Sequence, residues 1–163
     1  MNLDEHLSDY FTLRDLVRSQ TAVRRGIGNT PSQPAVENLR ALCVEVLEPL
    51  IEMQGSDDLF VASGYRSPEL NRHVGGSIGS QHTRGEAADV EAPSMSNLAL
   101  ARALAASRLP FDQLILEFHV EGDPSSGWVH VSHRRGGPQR GQVLTAWRQA
   151  GAVRYSAGLP LLG

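Results

Sequence analysis

The sequence predicts an α+β domain built around a small, mainly antiparallel sheet flanked by helices. Three observations point there: apolar residues with helical period from about residue 34 to 51, short strand-like runs at 59–66, 87–91, 111–120 and 128–133, and no internal repeat or low-complexity block. A chain of 163 residues fits a single domain that buries roughly two-thirds of its unfolded surface. The core is expected over about 8–147, with 148–163 as a peripheral tail.

Residues 8–25 open with Ser8 as a candidate cap, and Phe11, Leu13, Leu16 and Val17 follow at the 3/4 spacing of a short amphipathic helix. Gly26 to Pro31 ends it. From Pro34, the positions Val36, Leu39, Leu42, Cys43, Val46, Leu47, Leu50 and Ile51 form one helical stripe. Cys43 lies on that stripe and reads as core filler rather than as a nucleophile. A turn at Gly55–Asp58 leads to Leu59–Arg66, which reads as a core strand running into a loop, with Arg66 at the strand's end. Pro68 to Val74 is expected to be a short helix with proline in its first turn. Ser94 to Ser107 is Ala/Leu-rich and helical, capped by Ser94 or Ser96. Phe111–Val120 and Trp128–His133 look like a hairpin with a long loop, and Gln142–Trp147 is a candidate final strand.

Composition narrows the function classes. One cysteine excludes an internal disulfide framework and a cysteine-rich metal site, so any metal must be held by carboxylates and the six histidines. A net charge of -3, with no long basic run, argues against nucleic acid as a partner. The N-terminus shows neither a basic n-region nor an apolar h-region, and no apolar run is long enough to insert in a membrane. A monomer made in the cytoplasm is expected.

The stretch Ser80-Gln81-His82-Thr83-Arg84-Gly85-Glu86-Ala87-Ala88-Asp89-Val90 sets an imidazole and a carboxylate seven residues apart, among small residues. Gly85 permits a turn or a close backbone approach, and Ala87 to Val90 reads as a buried strand presenting Asp89. His82 and Asp89 would be half of a zinc site, which takes His nitrogen and carboxylate oxygen and keeps an open position when catalytic. Spacing alone leaves open a loop histidine followed by a surface aspartate, so a third ligand must decide. Alternation in Trp128-Val129-His130-Val131-Ser132-His133 puts only one histidine on the site's face. His130, bracketed by two valines, is the better candidate, and His133 is expected to be solvated or at the rim.

Tyr65-Arg66-Ser67, Ser80-x-His82-x-x-Gly85-x-Ala87-x-Asp89 and Trp128-Val129-His130-Val131-Ser132, in this order and spacing, resemble the zinc D-alanyl-D-alanine carboxypeptidases. That family includes D-Ala-D-Ala dipeptidases and phage L-alanyl-D-glutamate endolysins, and its fold is shared with Hedgehog signalling domains. The resemblance covers most of residues 8–145. It implies a Zn²⁺ held by His82, Asp89 and His130, Arg66 near the substrate, Ser80 bonding to it, and a peptidoglycan stem peptide as substrate. Such a protein would act on the cell wall after lysis or tail delivery.

Two imidazoles and one carboxylate would leave zinc a net charge of about +1, suited to lowering the pKa of water and polarising a carbonyl. The Arg66 guanidinium suits either a peptide's terminal carboxylate or a developing oxyanion. Many family members carry the proton-transferring acid three residues before the last ligand, where this chain has Gly127. The substitute is Glu117, because this branch resembles Asp-Gln-Leu-Ile-x-Glu on the strand beside the ligand strand. Alternation places Gln113, a candidate substrate contact, and His119 on Glu117's face, and Glu121 and Asp123 are the rival acids. The alternative function is a non-catalytic zinc-containing wall-binding or structural module, which Gly127 favours.

Overall fold

The computed structural model describes residues 1–55 and 57–161; Ser56 of the expected turn and the last two residues of the expected tail lie outside them. The expected first helix is two: α1, Leu13–Val17, and α2, Gln20–Arg25. Arg18 between them is extended (φ -61°, ψ 137°), and Ser19 starts afresh by accepting the N–H of Ala22. Thr12, not Ser8, caps α1, its N–H and hydroxyl donating to the Asp15 carboxylate at 3.0 and 2.7 Å.

The apolar stripe continues from α3, Gln33–Leu42, through a π-helical turn at Cys43–Leu47 into α4, Glu48–Gln54. Pro49 explains the turn, since it has no N–H for the ordinary i→i−4 bond and its ring crowds the preceding turn. Cys43 is fully buried, and burial pushes its thiol far above the ordinary range, as core filler requires.

Among the described residues six strands form one mixed sheet, in the order β1-β2-β4-β3-β5-β6. They are β1 Phe60–Ser63, β2 Ala87–Glu91, β3 Gln113–Glu117, β4 Trp128–Ser132, β5 Gln142–Gln149 and β6 Ala152–Ala157. Only β3 and β5 pair in parallel. Two further helices, α5 Pro68–His73 and α6 Asn97–Ala106, are capped by the side chains of Ser67 and Ser96.

The stretch after residue 147, expected as a peripheral tail, extends the sheet instead. Strand β5 runs on to Gln149 and turns through Ala150 (φ 49°) and Gly151 (φ 80°) into β6. Two successive positive-φ residues make the tight turn whose twist suits a hairpin. Alanine in the first of those positions carries none of the Asn-Gly or Asp-Gly signature, and β6 is exposed along its length, so periodicity had nothing to show.

Alternation divides the sheet between two tasks. Ala88, Val90, Leu114, Leu116, Val129 and Val131 join the hydrophobic core with α3, α4 and α6. Their sequence neighbours Asp89, Ile115, Glu117, Trp128 and His130 face the other way, into a cleft of about 930 Å³.

Candidate metal centre

Asp89 and His130 are direct cross-strand partners on β2 and β4, so register alone puts a carboxylate beside an imidazole. His82 comes from the 3₁₀ turn Gln81–Arg84, which ends at Gly85 with φ 71°. A Cβ on Gly85 would lie 2.3 Å from the Ala35 carbonyl oxygen, so only glycine lets this turn rest on α3. The His82 ring is then set by its Nδ1, 2.7 Å from the Gly64 carbonyl oxygen. A carbonyl only accepts, so Nδ1 donates and a neutral ring turns its Nε2 lone pair toward the cluster.

His82 Nε2, His130 Nδ1 and Asp89 Oδ1 form a triangle with sides of 3.1, 3.1 and 3.2 Å. A tetrahedral ion with bonds of about 2.0–2.1 Å requires ligand-to-ligand edges of about 3.3–3.4 Å. The donor set therefore fits a zinc ion, being nitrogen and oxygen only, converged on one point, and almost wholly buried. Burial opposes ionisation of Asp89, but the electrostatic influence of the adjacent His82 and His130 rings and their hydrogen bonds outweigh it and hold the carboxyl well below the usual range. The second oxygen, Oδ2, accepts from Arg66 Nη2, while Arg66 Nε donates to Ser63 Oγ at 2.9 Å. Arg66 thus clamps a candidate ligand. Its Nη1 has no hydrogen-bond partner among the described residues, and the side chain lines the cleft.

Glu117 pairs with Trp128 one alternation step along from the Ile115–His130 pair, so it stands beside the cluster on the same face. Among the described residues no hydrogen bond reaches its carboxylate. Burial, then the nearby Asp89 charge, raises its pKa against the lowering effects of His130 and Arg66. Gly127 has a steric explanation: a Cβ there would lie 1.9 Å from the Glu117 carbonyl oxygen and 2.8 Å from the Phe118 carbonyl carbon. No acid fits at that position while β3 keeps this course.

Phe118 adopts φ 56°, rare for a bulky side chain and costing about 1–3 kcal/mol. The distortion breaks the alternation that placed His119 with Glu117. His119 does not line the cleft and lies beside Ser126, 3.5 Å from its hydroxyl. Glu121 and Asp123 are exposed in the β3–β4 connection, and neither lines the cleft. Ser80 and Gln113 do line it, although Gln113 Nε2 already donates to Gln142 Oε1 at 2.7 Å. His133, expected in solvent or at the rim, is buried: its Nδ1 lies 2.7 Å from the Pro110 carbonyl oxygen and its backbone N–H donates to the Glu86 carbonyl at 2.8 Å, so it continues β4 between the segments that lead into β2 and β3.

Several residues that position the site escaped the sequence reading. Asn29 donates to the carbonyls of Val17 and Tyr65 at 2.8 and 3.0 Å and accepts the Ser67 N–H at 2.7 Å, pinning the segment that carries Arg66. At one end of the cleft, fully buried Asp112 accepts from Arg140 Nη2 at 2.6 Å, Arg140 N at 3.0 Å and Gln81 Nε2 at 3.1 Å. At the other end, Arg148, Val153 and Tyr155 enter from the β5–β6 hairpin. A local signal existed only for Asn29, in its Asn-Thr-Pro turn.

A small α+β domain with a buried His/Asp/His cluster opening on a cleft defines a candidate metal-dependent enzyme. The Peptidase M15 family model matches residues 9–132, and the chain belongs to this family, whose members are in general zinc-dependent. None of the curated proteins compared with it matches. The matched stretch contains all three cluster residues, Arg66 and Glu117, and stops before β5.

Proposed function

We propose that this protein is a zinc-dependent peptidase that hydrolyses a D-amino-acid-containing bond in peptidoglycan stem peptides. The observation that carries the reading is the donor triangle of His82, Asp89 and His130 beside an unbonded carboxylate, Glu117, in one open cleft. Zinc bound there would supply Lewis acidity, lowering the pKa of water and polarising the scissile carbonyl. Arg66 holds Asp89 in place, and its free Nη1 is available to an oxyanion or a peptide carboxylate. Glu117 takes a proton as water adds to the carbonyl carbon and returns it to the nitrogen as the C–N bond breaks. Its raised pKa suits both halves of that exchange. Ser80 and Gln113 face the peptide as lining groups.

Gly127, the residue that favoured a non-catalytic module, is accounted for by its contact with the Glu117–Phe118 backbone and lends that alternative no weight. The test is release of amino acid or muropeptide from purified cell walls and from a synthetic peptide ending in D-Ala-D-Ala. Activity that disappears with a zinc chelator and returns with zinc is the expected result. Zinc-loaded protein that cuts neither substrate would overturn the reading.

A further inference from the structure

The β5–β6 hairpin lies outside the family match, yet it builds one wall of the cleft. Register shows how. Glu117 pairs with Ala146, and Ala146 with Tyr155, so these three share a row on the cluster's face, with only a methyl group between the acid and the phenol. Arg148 and Val153 pair in the next row, about 7 Å further from the metal cluster. The Arg148 guanidinium sits 5.0 Å from the centre of the Phe118 ring, which makes an edge contact with Trp128. The left-handed backbone of Phe118 accompanies the placement of that ring in the cleft wall.

Charge singles out Arg148 among the six arginines lining the cleft. Arg66 is paired with Asp89, Arg84 with Glu86, and Arg134 and Arg140 with Asp112, while Arg18 donates to the Val61 carbonyl. Among the described residues Arg148 has neither a carboxylate nor a hydrogen-bond acceptor, only an aromatic face. It is a cation held toward the cleft with its donors unused.

Chemistry supplies the direction. The carboxylate that takes the proton must hand it to the departing nitrogen, so the departing residue lies on Glu117's side of the cluster. On that side of the cluster the row of Trp128, Glu117 and Tyr155 is followed by the row that carries Arg148. We propose that Arg148, seated on Phe118, binds the C-terminal carboxylate of the departing residue, so that the substrate is a peptide with a free C-terminus cut near that end. The inference rests on the peptidase reading for its direction and deepens it by choosing carboxypeptidase over endopeptidase cleavage.

The experiment compares an N-acylated tripeptide ending in D-Ala-D-Ala with its C-terminal amide, in zinc-loaded wild type and in Arg148→Gln and Arg148→Lys. Cleavage is followed as kcat/KM, and equilibrium binding by calorimetry in a Glu117→Gln background. Wild type is expected to favour the acid about three- to ten-fold in both measurements. Arg148→Gln should bring that ratio close to one, and Arg148→Lys should keep part of it because the charge remains. A wild type indifferent to the amide, or an Arg148→Gln variant that keeps the full preference, overturns the proposal. If neither peptide is cut but Arg148→Gln still loses a preference for binding the acid, hydrolysis falls and the carboxylate subsite stands.

Discussion

Asp89 and Asp112 are both buried carboxylates bordering the same cleft, and both have pKa values below the usual range despite burial, but their partners differ in kind. Asp112 is surrounded by obligate donors: the Arg140 guanidinium and backbone N–H, the Gln81 amide and, at 3.6 Å, Arg134. Its lone pairs are satisfied within the chain. Asp89 instead shares one oxygen with two imidazole nitrogens, at least one of which presents a lone pair. All three atoms can present a lone pair to one point, which is the arrangement that could hold a cation. A depressed pKa therefore does not separate a structural carboxylate from a metal-binding one; the donor or acceptor character of its partners does.

The largest expected effect separates the two clusters outright. His82→Ala and His130→Ala should each take zinc content from about one ion per chain to near zero and abolish turnover. Asp112→Asn and His133→Ala should keep their zinc. Metal analysis of protein purified without chelator checks this, and an Asp112→Asn protein as zinc-poor as His82→Ala would break the comparison. Next comes Glu117→Gln, expected to lower kcat by about 10² to 10⁴ while zinc content and melting temperature hold. A near-normal rate in that variant, together with a dead Glu121→Gln or Asp123→Asn, would move the proton transfer into the β3–β4 loop.

Arg66→Lys should reduce zinc affinity or turnover by about ten- to a hundred-fold, since a guanidinium fork holds Asp89 and Ser63 together and an ammonium does not. Competition with a chromogenic chelator measures the affinity. The smallest functional effect is expected at Asp112→Asn, where the loss is one of stability, about 1–3 kcal/mol, with turnover per folded molecule nearly intact. A folded-state pKa below the unfolded value of about 3.9 contributes stability that is present above that pH and lost as pH falls through the folded value. Urea melts at about pH 6 and pH 3 should therefore show wild type losing more stability on acidification than Asp112→Asn. Equal losses would detach Asp112 from the acid response.

Much of the candidate centre could be read locally. Period-2 alternation in Ala87 to Glu91 and in Trp128 to Ser132 assigned Asp89 and His130 to one face, because the neighbouring alanine and valines had to enter the core. Gly85 announced the close approach that carries His82. Where local geometry departs from the regular period, the reading failed. Phe118 in the left-handed region turned His119 off Glu117's face, and Arg18 broke a helix that apolar spacing alone ran through.

By itself the sequence determined which side chains each element shows to its two faces, because pleat and helix periods act between near neighbours and hydrophobic burial selects the inward set. It also carried the ordered motifs of a peptidase family. Only the tertiary structure decided which faces meet: Arg66 on Asp89, Asp112 on Arg140 twenty-eight residues away, Gly127 against the Glu117 carbonyl, and the β5–β6 hairpin as a wall of the cleft. Those meetings depend on strand order and register, including one parallel pairing between neighbouring β3 and β5, which β4 separates only along the chain. They are contacts between residues far apart in the chain, and no short-range period encodes them.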